Sequence, residues 1–375
     1  MQVRAFLVLE NGAVFEGSAF GAVDREAAGE VVFNTAMSGY EEILTDPSYC
    51  GQIVTFTYPH IGNYGITLED WESGRVQVEG IVVHECSRTY SNWRARLGLA
   101  EYLEQQGVIG LQGIDTRMLV RMIRDKGALR GIISAQGKPE ELLERVRAIP
   151  LMEGLDLTDH VTTLSPYWLE PSGSGTAPVV VLVDYGVKHT IIRSLLQRGC
   201  RVCVVPARTP AEAILEIEPA GVVLSNGPGD PAAVGYTLPQ LRKLVNSGVP
   251  ILGICLGHQL LGLAFGARTY KLKFGHHGAN HPVRNLRTGA VEITSQNHGF
   301  AVDPTTLPPA IEVTHINLND GTLEGMRHRE LPIMAVQYHP EAAPGPHDAR
   351  YVFDEFVAWV RAGQAVELQE VPCGG

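Results

Sequence analysis

Residues 249–263 constrain the fold of this chain more than any other stretch, because a short apolar run of strand type turns abruptly into a helical pattern. The turn reads Gly253-Ile-Cys-Leu-Gly257, a G-x-C-x-G form of the nucleophile elbow. An elbow needs small residues on both sides because neighbouring backbone comes close. The pattern predicts that Cys255 lies at the start of a helix, whose dipole favours a thiolate. The alternative is an inert core cysteine at a strand–helix junction.

The second half of the chain alternates strand and helix patterns with short loops between them. Strands are predicted at residues 179–183, 201–205, 222–225, 249–254 and 333–338, and helices at residues 190–198, 211–217, 238–246 and 256–265. This alternation predicts a flavodoxin-like, mostly parallel sheet with helices on both faces. Reactive groups in such sheets lie beyond the carboxyl ends of the strands, where both Cys255 and the loop 226–231 are expected. This agreement favours Cys255 as a nucleophile.

The first half predicts a β-rich α/β domain. Asn11-Gly12 indicates a hairpin. Further strands are predicted at residues 30–34 and 53–58, a turn-like segment at 39–47, and helices at 97–106, 117–126 and 140–148. Proline, glycine and serine then accumulate, which predicts an interdomain connection. The predicted division is residues 1–150, a connection at 151–178, a second domain at 179–365 and a tail at 366–375.

Composition excludes several classes of partner. The 375 residues are 45% hydrophobic and 19% charged, as in ordinary globular proteins. A net charge of −11 argues against binding to nucleic acid or to an anionic membrane. The apolar run at the N-terminus is too short for a signal peptide, and no stretch has the roughly 20 apolar residues of a membrane helix. A cytoplasmic location is therefore expected.

The six cysteines are scattered, which argues against a disulfide scaffold. Cys200 and Cys203 form a C-x-x-C pair, but they lead into a predicted strand. A redox pair requires a helix N-terminus, so the pair is interpreted as incidental strand cysteines.

A cysteine nucleophile requires a base, usually a histidine oriented by a third polar group. His339 fits this role among the 13 histidines, because Gln337-Tyr-His-Pro-Glu341 follows a predicted strand that Pro340 ends. His339 and Glu341 can then lie on one side of an extended turn. The alternative is a surface loop that holds these two residues by chance.

Other histidines are less suitable as the base. His258 lies within the elbow helix itself. His276, His277 and His281 suggest a metal, but no cysteine or carboxylate accompanies them in the sequence. Loop polarity is therefore the favoured interpretation, no metal site is predicted, and the roles of the three stay open.

Two sets of backbone N–H groups are suited to an oxyanion hole. The N–H of Leu256 follows the nucleophile directly. The loop Gly227-Pro228-Gly229 can bring a second donor close without side chains in the way.

Gly253-Ile-Cys-Leu-Gly-His-Gln259, together with His339-Pro-Glu341, resembles the class I (triad) glutamine amidotransferase domain. The N-terminal half resembles the family of small, glutamine-hydrolysing subunits of carbamoyl phosphate synthetase. The motifs that carry this second resemblance are Gly29-Glu-Val-Val-Phe-Asn-Thr35, Gly39-Tyr-Glu-Glu-Ile-Leu-Thr-Asp-Pro-Ser-Tyr49, Thr57-Tyr-Pro-His-Ile-Gly-Asn-Tyr64 and Gly113-Ile-Asp-Thr-Arg117.

The resemblance implies a Cys255–His339–Glu341 triad that hydrolyses L-glutamine. It also implies that a large synthetase subunit is the partner and uses the ammonia, ATP and Mg²⁺ to make carbamoyl phosphate for arginine and pyrimidine synthesis. No cofactor is then expected on this chain. The implied contacts to glutamine are Ser48, Gly227, Gly229, Leu256, Gln259, Asn297, Gly299 and Phe300, with Gly229 and Leu256 as oxyanion donors.

Two alternatives differ from this interpretation. A glutaminase that serves GMP or anthranilate synthesis would share the elbow, but the N-terminal motifs disfavour it. A docking or regulatory subunit with an idle triad is disfavoured because the cysteine, histidine and glutamate are all present.

Overall fold

The computed structural model describes residues 3–173 and 176–369. Its first body is a closed seven-stranded barrel with the strand order β1-β2-β8-β6-β4-β3-β9. The strands of this half are β1 Val3–Leu9, β2 Val14–Gly21, β3 Ala27–Asn34, β4 Gln52–Phe56, β5 His60–Ile61, β6 Gly80–Val83, β7 Glu85–Cys86, β8 Ile109–Gln112 and β9 Leu129–Ser134. Its helices are α1 Tyr40–Thr45, α2 Leu99–Gln106, α3 Thr116–Lys126 and α4 Pro139–Ala148.

Alternation of side chains explains the barrel. Leu7 and Leu9 belong to one buried cluster, whereas Val8 between them packs with Leu142 and Val146 of α4. The predicted Asn11-Gly12 hairpin is confirmed, since β1 and β2 pair in antiparallel register up to Val8 opposite Val14. The predicted helix at 117–126 is confirmed as α3.

The prediction for residues 39–47 was wrong, because a helix, α1, lies within them. Tyr40, Ile43 and Leu44 are spaced by three and four residues, and all three are buried. The flanking Gly39 and Pro47 gave the segment the look of a turn. Gly39 in fact has a φ of 88° at the start of the helix.

The second body is built on a ten-stranded sheet. Its strands are β10 Tyr167–Leu169, β11 Val179–Asp184, β12 Arg201–Pro206, β13 Gly221–Leu224, β14 Ile251–Ile254, β15 Thr269–Asn285, β16 Val291–Val302, β17 Ile311–Asn317, β18 Leu323–His328 and β19 Ile333–Val336. Its helices are α5 Thr158–Val161, α6 His189–Gln197, α7 Ala211–Leu215, α8 Leu238–Asn246, α9 Leu256–Ala264 and α10 Tyr351–Gln369.

Half of this sheet is the predicted flavodoxin-like core. Strands β12, β11, β13, β14 and β19 pair in parallel in that order, and each is buried. Four further strands form an antiparallel extension, β18-β17-β15-β16, which the sequence did not predict. Its strands are rich in histidine, asparagine and threonine, so they lack the apolar runs that identified the parallel strands.

The predicted connection, residues 151–178, is attached to the second body. It contains α5, and β10 pairs in antiparallel fashion with β12. Asp156 also forms a β-bridge with Gly229. At the other end, α10 extends to Gln369, into the predicted tail, whose last residues lie outside the described part of the chain. No helix among residues 3–173 and 176–369 is both long and apolar enough to cross a membrane.

Candidate active site

The elbow places Cys255 between the end of β14 and the start of α9. Its backbone has φ 54° and ψ −103°, a left-handed conformation that an L-residue rarely adopts. Gly257 allows this turn, because a Cβ at that position would overlap the carbonyl of Leu224 on β13. The local sequence thus forces the cysteine out of the sheet, as the elbow pattern predicts.

The sulfur of Cys255 lies in a buried environment next to His339. Cys255 is 2% exposed, and its Sγ is 3.5 Å from the carbonyl oxygen of Asn297. Nε2 of His339 has no hydrogen-bond partner within the described chain. Nε2 of the imidazole is therefore free to exchange a proton with the thiol.

The other face of His339 is fixed by a carboxylate and a lysine. Nδ1 of His339 lies 2.7 Å from Oε1 of Glu341, and Nζ of Lys188 lies 3.0 Å from the same oxygen. Lys188 also donates to the carbonyl of Ala342 at 2.6 Å. All of these side chains are buried, so Glu341 holds the imidazole in one orientation.

Neighbouring charges determine the protonation states of His339 and Glu341. Burial opposes the charged imidazole, but the negative charge of Glu341 and the neighbouring Cys255 raise the pKa of His339 to about 10. Burial also opposes the carboxylate, yet Lys188 and His339 hold the pKa of Glu341 well below its usual range. An imidazolium in this position stabilises a neighbouring thiolate.

Lys188 is a residue that the sequence reasoning missed. It lies just before α6, in the loop that follows β11. Its place at the carboxyl end of a buried parallel strand is the signal that could have identified it, because reactive groups collect at that edge.

The two residues predicted as oxyanion donors lie close to the nucleophile, because Leu256 follows Cys255 directly and Gly229 lines the same cavity. Leu256 is the first residue of α9, where N–H groups have no partner within the helix. Gly229 has a φ of 91°, and a Cβ there would come within 2.7 Å of the carbonyl oxygen of Leu155. The connection between the two halves thus packs on this loop closely enough to require glycine.

A small cavity opens over Cys255. Seven of the eight residues predicted to hold glutamine line it: Ser48, Gly227, Gly229, Gln259, Asn297, Gly299 and Phe300. The eighth, Leu256, has its side chain in the core. The remaining lining residues, which the sequence reasoning missed, are Gln52, Met152, Pro228, His277 and His298.

Hydrogen bonds join the barrel to the sheet at this cavity. Oγ of Ser48 accepts from Nδ2 of Asn226 at 2.9 Å. Nδ2 of Asn297 donates to Oδ2 of Asp46, also at 2.9 Å. The short segment after α1 therefore lies directly against the loop that follows β13 and against strand β16, both of which line the cavity.

The side chains of Gln259 and Asn297 are already partly engaged. Nε2 of Gln259 donates to the carbonyl of Phe300 at 2.8 Å and to Gln337 at 3.1 Å. Oδ1 of Asn297 lies 3.0 Å from Nδ1 of His277. Both amides are thus oriented in advance, and their roles toward glutamine stay predictions.

His277 is held neutral beside the cavity. Burial lowers its pKa to about 3, and Nδ1–H donates to Asn297. Its Nε2 has no partner in the described chain, so it is a hydrogen-bond acceptor next to the cavity.

The structure corrects the interpretation of the histidine-rich segment as a polar loop. His276, His277 and His281 lie on strand β15. A carboxylate does accompany them in space, because Oδ2 of Asp320 is 2.8 Å from Nε2 of His276. That residue is more than 40 positions away in the sequence, so the spacing of motifs could not show it.

The five described cysteines, Cys50, Cys86, Cys200, Cys203 and Cys255, are all free. Cys200 and Cys203 are buried, and their thiols face two different core clusters. The interpretation of this pair as incidental core cysteines is therefore confirmed. Cys373 lies outside the described residues.

Two models of protein families match the chain. Residues 181–359 match glutamine amidotransferase class-I, and residues 7–133 match the carbamoyl-phosphate synthase small chain, CPSase domain. Among curated proteins, the carbamoyl phosphate synthase small chain of Chlorobaculum tepidum is 56% identical over 95% of this chain and 97% of its own length. The protein of the same name from a Synechococcus species is 54% identical over 96% of this chain and 94% of its own.

Proposed function

The chain belongs to the family of carbamoyl phosphate synthase small chains, and from its active-site geometry we propose how it releases ammonia from glutamine. The class I amidotransferase domain makes it the glutamine-hydrolysing component of carbamoyl phosphate synthesis. One observation supports the mechanism above all. Cys255, in a strained elbow, lies beside an imidazole fixed by Glu341, at the base of a cavity lined by polar groups.

In the first step, Sγ of Cys255 attacks the carboxamide carbon of glutamine while Nε2 of His339 holds the thiol proton. The carbonyl oxygen becomes an oxyanion, which accepts hydrogen bonds from the N–H groups of Leu256 and Gly229. The C–N bond then breaks, and His339 gives its proton to the leaving nitrogen. The products are ammonia and a thioester on Cys255.

In the second step, water attacks the thioester. His339 takes a proton from the water, and the same N–H groups stabilise the second oxyanion. The C–S bond breaks, glutamate leaves, and the proton returns to the thiolate. Glu341 and Lys188 stay charged throughout and keep the imidazole oriented.

The amino-acid end of glutamine is proposed to contact the polar groups contributed by both halves. Oγ of Ser48, the amide of Gln259 and the backbone of Gly299 and Phe300 supply donors and acceptors for a zwitterion. His277 adds an acceptor that suits an ammonium group.

The partner is proposed to be the large synthetase subunit, which would bind ATP and Mg²⁺ and consume the ammonia in the cytoplasm. Helix α3 supports a docking site on the barrel. Arg117, Arg121 and Arg124 are exposed on one face of it, around a cleft, in a chain of net charge −11. A basic stripe on an acidic protein favours an acidic surface on the partner.

The double substitution Arg117→Glu with Arg121→Glu tests this docking site. It should weaken association with the large subunit by at least about tenfold at low salt, since like charges then oppose. Binding is measured by interferometry at two salt concentrations, with Arg329→Glu on the other body as the control. Unchanged association would place the docking surface elsewhere.

The proposed hydrolysis is tested by measuring glutamate release from glutamine, with and without the large subunit. Turnover that is lost in Cys255→Ser and His339→Asn supports the triad. No turnover in the complete complex would favour the alternative of a docking subunit with an idle triad.

A further inference from the structure

A second group of buried histidine and carboxylate side chains lies beside the cavity, and His298 belongs to both the group and the cavity lining. His276 on β15 lies opposite His298 on β16, and Glu324 lies on β18. None is more than 5% exposed. Each offers one ligand atom, and the three atoms lie within 4.8 Å of one another.

His276 is oriented as a metal-binding histidine would be. Its Nε2 lies 2.8 Å from Oδ2 of Asp320, so that nitrogen donates its hydrogen to a carboxylate. Its Nδ1 has no hydrogen-bond partner in the described chain and lies 3.5 Å from Oε1 of Glu324. A ligating histidine almost always donates its other N–H to a carboxylate or carbonyl in this manner.

At His298 two hydrogen-bond acceptors face each other, and a cation bound between them would remove their repulsion. Its Nδ1 lies 2.7 Å from the carbonyl oxygen of Phe300 and therefore carries the hydrogen. Its Nε2, left with a lone pair, faces Oε1 of Gln296 at 3.0 Å. That amide cannot simply be reversed, because its Nε2 donates to Oε2 of Glu324 at 2.9 Å.

The charges of the cluster also call for a cation. Asp320 and Glu324 both lie within ion-pair distance of His276, and among the described residues it is their one basic partner. Buried charges are costly unless they are paired or bind a metal. A divalent ion would balance the buried carboxylate of Glu324, whereas Asp320 is half-exposed and already pairs with His276.

We propose that Nδ1 of His276, Nε2 of His298 and the carboxylate of Glu324 bind a first-row divalent metal ion such as Zn²⁺. Two imidazoles and one carboxylate favour zinc and similar ions over Mg²⁺ or Ca²⁺, which prefer oxygen ligands. His281 offers a fourth nitrogen, since its Nδ1 has no partner in the described chain and its ring centroid is 5.2 Å from that of His276.

The role of this metal site is structural. The ion would join β15, β16 and β18 directly behind Asn297 and Gly299. It would thus hold the strand that lines the glutamine cavity, and it takes no part in the hydrolysis.

The test uses the full chain with Cys255→Ser, so that the catalytic thiolate cannot bind the added ion. The protein is treated with a chelator, dialysed and titrated with ZnCl₂ by calorimetry. Co²⁺ is added to a second sample and its visible absorption is recorded. The proposal predicts one equivalent of bound zinc and cobalt bands typical of a tetrahedral nitrogen and oxygen site.

Glu324→Gln preserves the size of the side chain but removes the ligand, so zinc affinity should fall by at least about 100-fold. Asp320→Asn alters a half-exposed partner of His276 and should weaken zinc binding by about 10- to 100-fold. If Glu324→Gln fails to fold, the zinc affinity of Asp320→Asn tests the proposal instead. Glu312→Gln, on the neighbouring strand β17 and outside the cluster, is the matched control and should bind zinc as the parent does.

Absence of a saturable site with about one equivalent of zinc would overturn the proposal. So would an affinity that neither Glu324→Gln nor Asp320→Asn changes. In either case the cluster is a hydrogen-bonded network of histidines and carboxylates without a metal.

Discussion

Cys255 differs from the other described cysteines in the groups around its sulfur. Burial raises the pKa of Cys50 and Cys200 to about 11 and that of Cys86 to about 12. Cys255 instead lies in the elbow at the start of α9, beside the positively charged His339. A glutamine-like chloroketone at neutral pH should therefore label Cys255 first. Peptide mass spectrometry gives the site, and preferential labelling of any other cysteine, Cys373 included, would contradict the assignment.

The triad also predicts how stability changes with pH. The pKa of His339 is raised to about 10 in the folded state, against about 6.5 when it is unfolded. The corresponding stabilisation is complete below about pH 6.5 and is lost as the pH rises toward 10. Glu341→Gln removes the charge that raises this pKa. The difference in unfolding free energy between parent and variant should therefore be largest near pH 6 and shrink toward pH 10, by about 1.4 kcal/mol for each unit of pKa lost.

Urea unfolding at several pH values measures this difference, with Glu312→Gln as a control that leaves the triad intact. A difference that stays constant between pH 6 and pH 10 would show that Glu341 does not set the protonation of His339.

Individual residues were predictable where a motif fixed their neighbours along the chain. The spacing of His339 and Glu341 predicted their contact, which the structure shows at 2.7 Å. Lys188 and the contact of His277 with Asn297 were not identified, because the partners of both residues lie in other segments of the sequence. The segment around His276 was misjudged for the same reason.

At the scale of elements, the elbow depends on close contact between α9 and β13. Gly257→Ala should displace the start of α9 and lower glutaminase activity by at least about tenfold, because its Cβ would meet the carbonyl of Leu224. The matched control is Gly363→Ala in helix α10, where a Cβ meets nothing within 4 Å. That change should be neutral or stabilise by up to about 1 kcal/mol. Full activity in Gly257→Ala, measured by glutamate release, would contradict this account of the elbow.

The elements that the sequence predicted well are those with apolar periodicity. The parallel strands and helices α6, α8 and α9 have such patterns, and the structure contains them. Strands β15 and β16 carry polar site residues and form one long hairpin. Apolar and polar residues therefore do not alternate clearly along them, and the sequence pattern does not identify them as strands.

At the scale of the whole molecule, the site exists only where the two bodies meet. Ser48 from the barrel bonds to Asn226 of the sheet, and Asp46 bonds to Asn297. No local pattern predicts contacts between residues about 180 or 250 positions apart, and only the family resemblance implied a role for Ser48. The β-rich character of the first half and the parallel core of the second were predictable from the sequence, whereas the closed barrel, the antiparallel extension and the docking of the two halves were not.

This chain is proposed to supply ammonia to a separate synthetase subunit. Cys255→Ser replaces a thiol by a far weaker hydroxyl nucleophile and should hardly disturb packing. In a complex reconstituted with the large subunit, the account predicts that carbamoyl phosphate formation from glutamine falls by orders of magnitude, while formation from ammonium is retained. Loss of both activities in an intact complex, or retention of both, would contradict it.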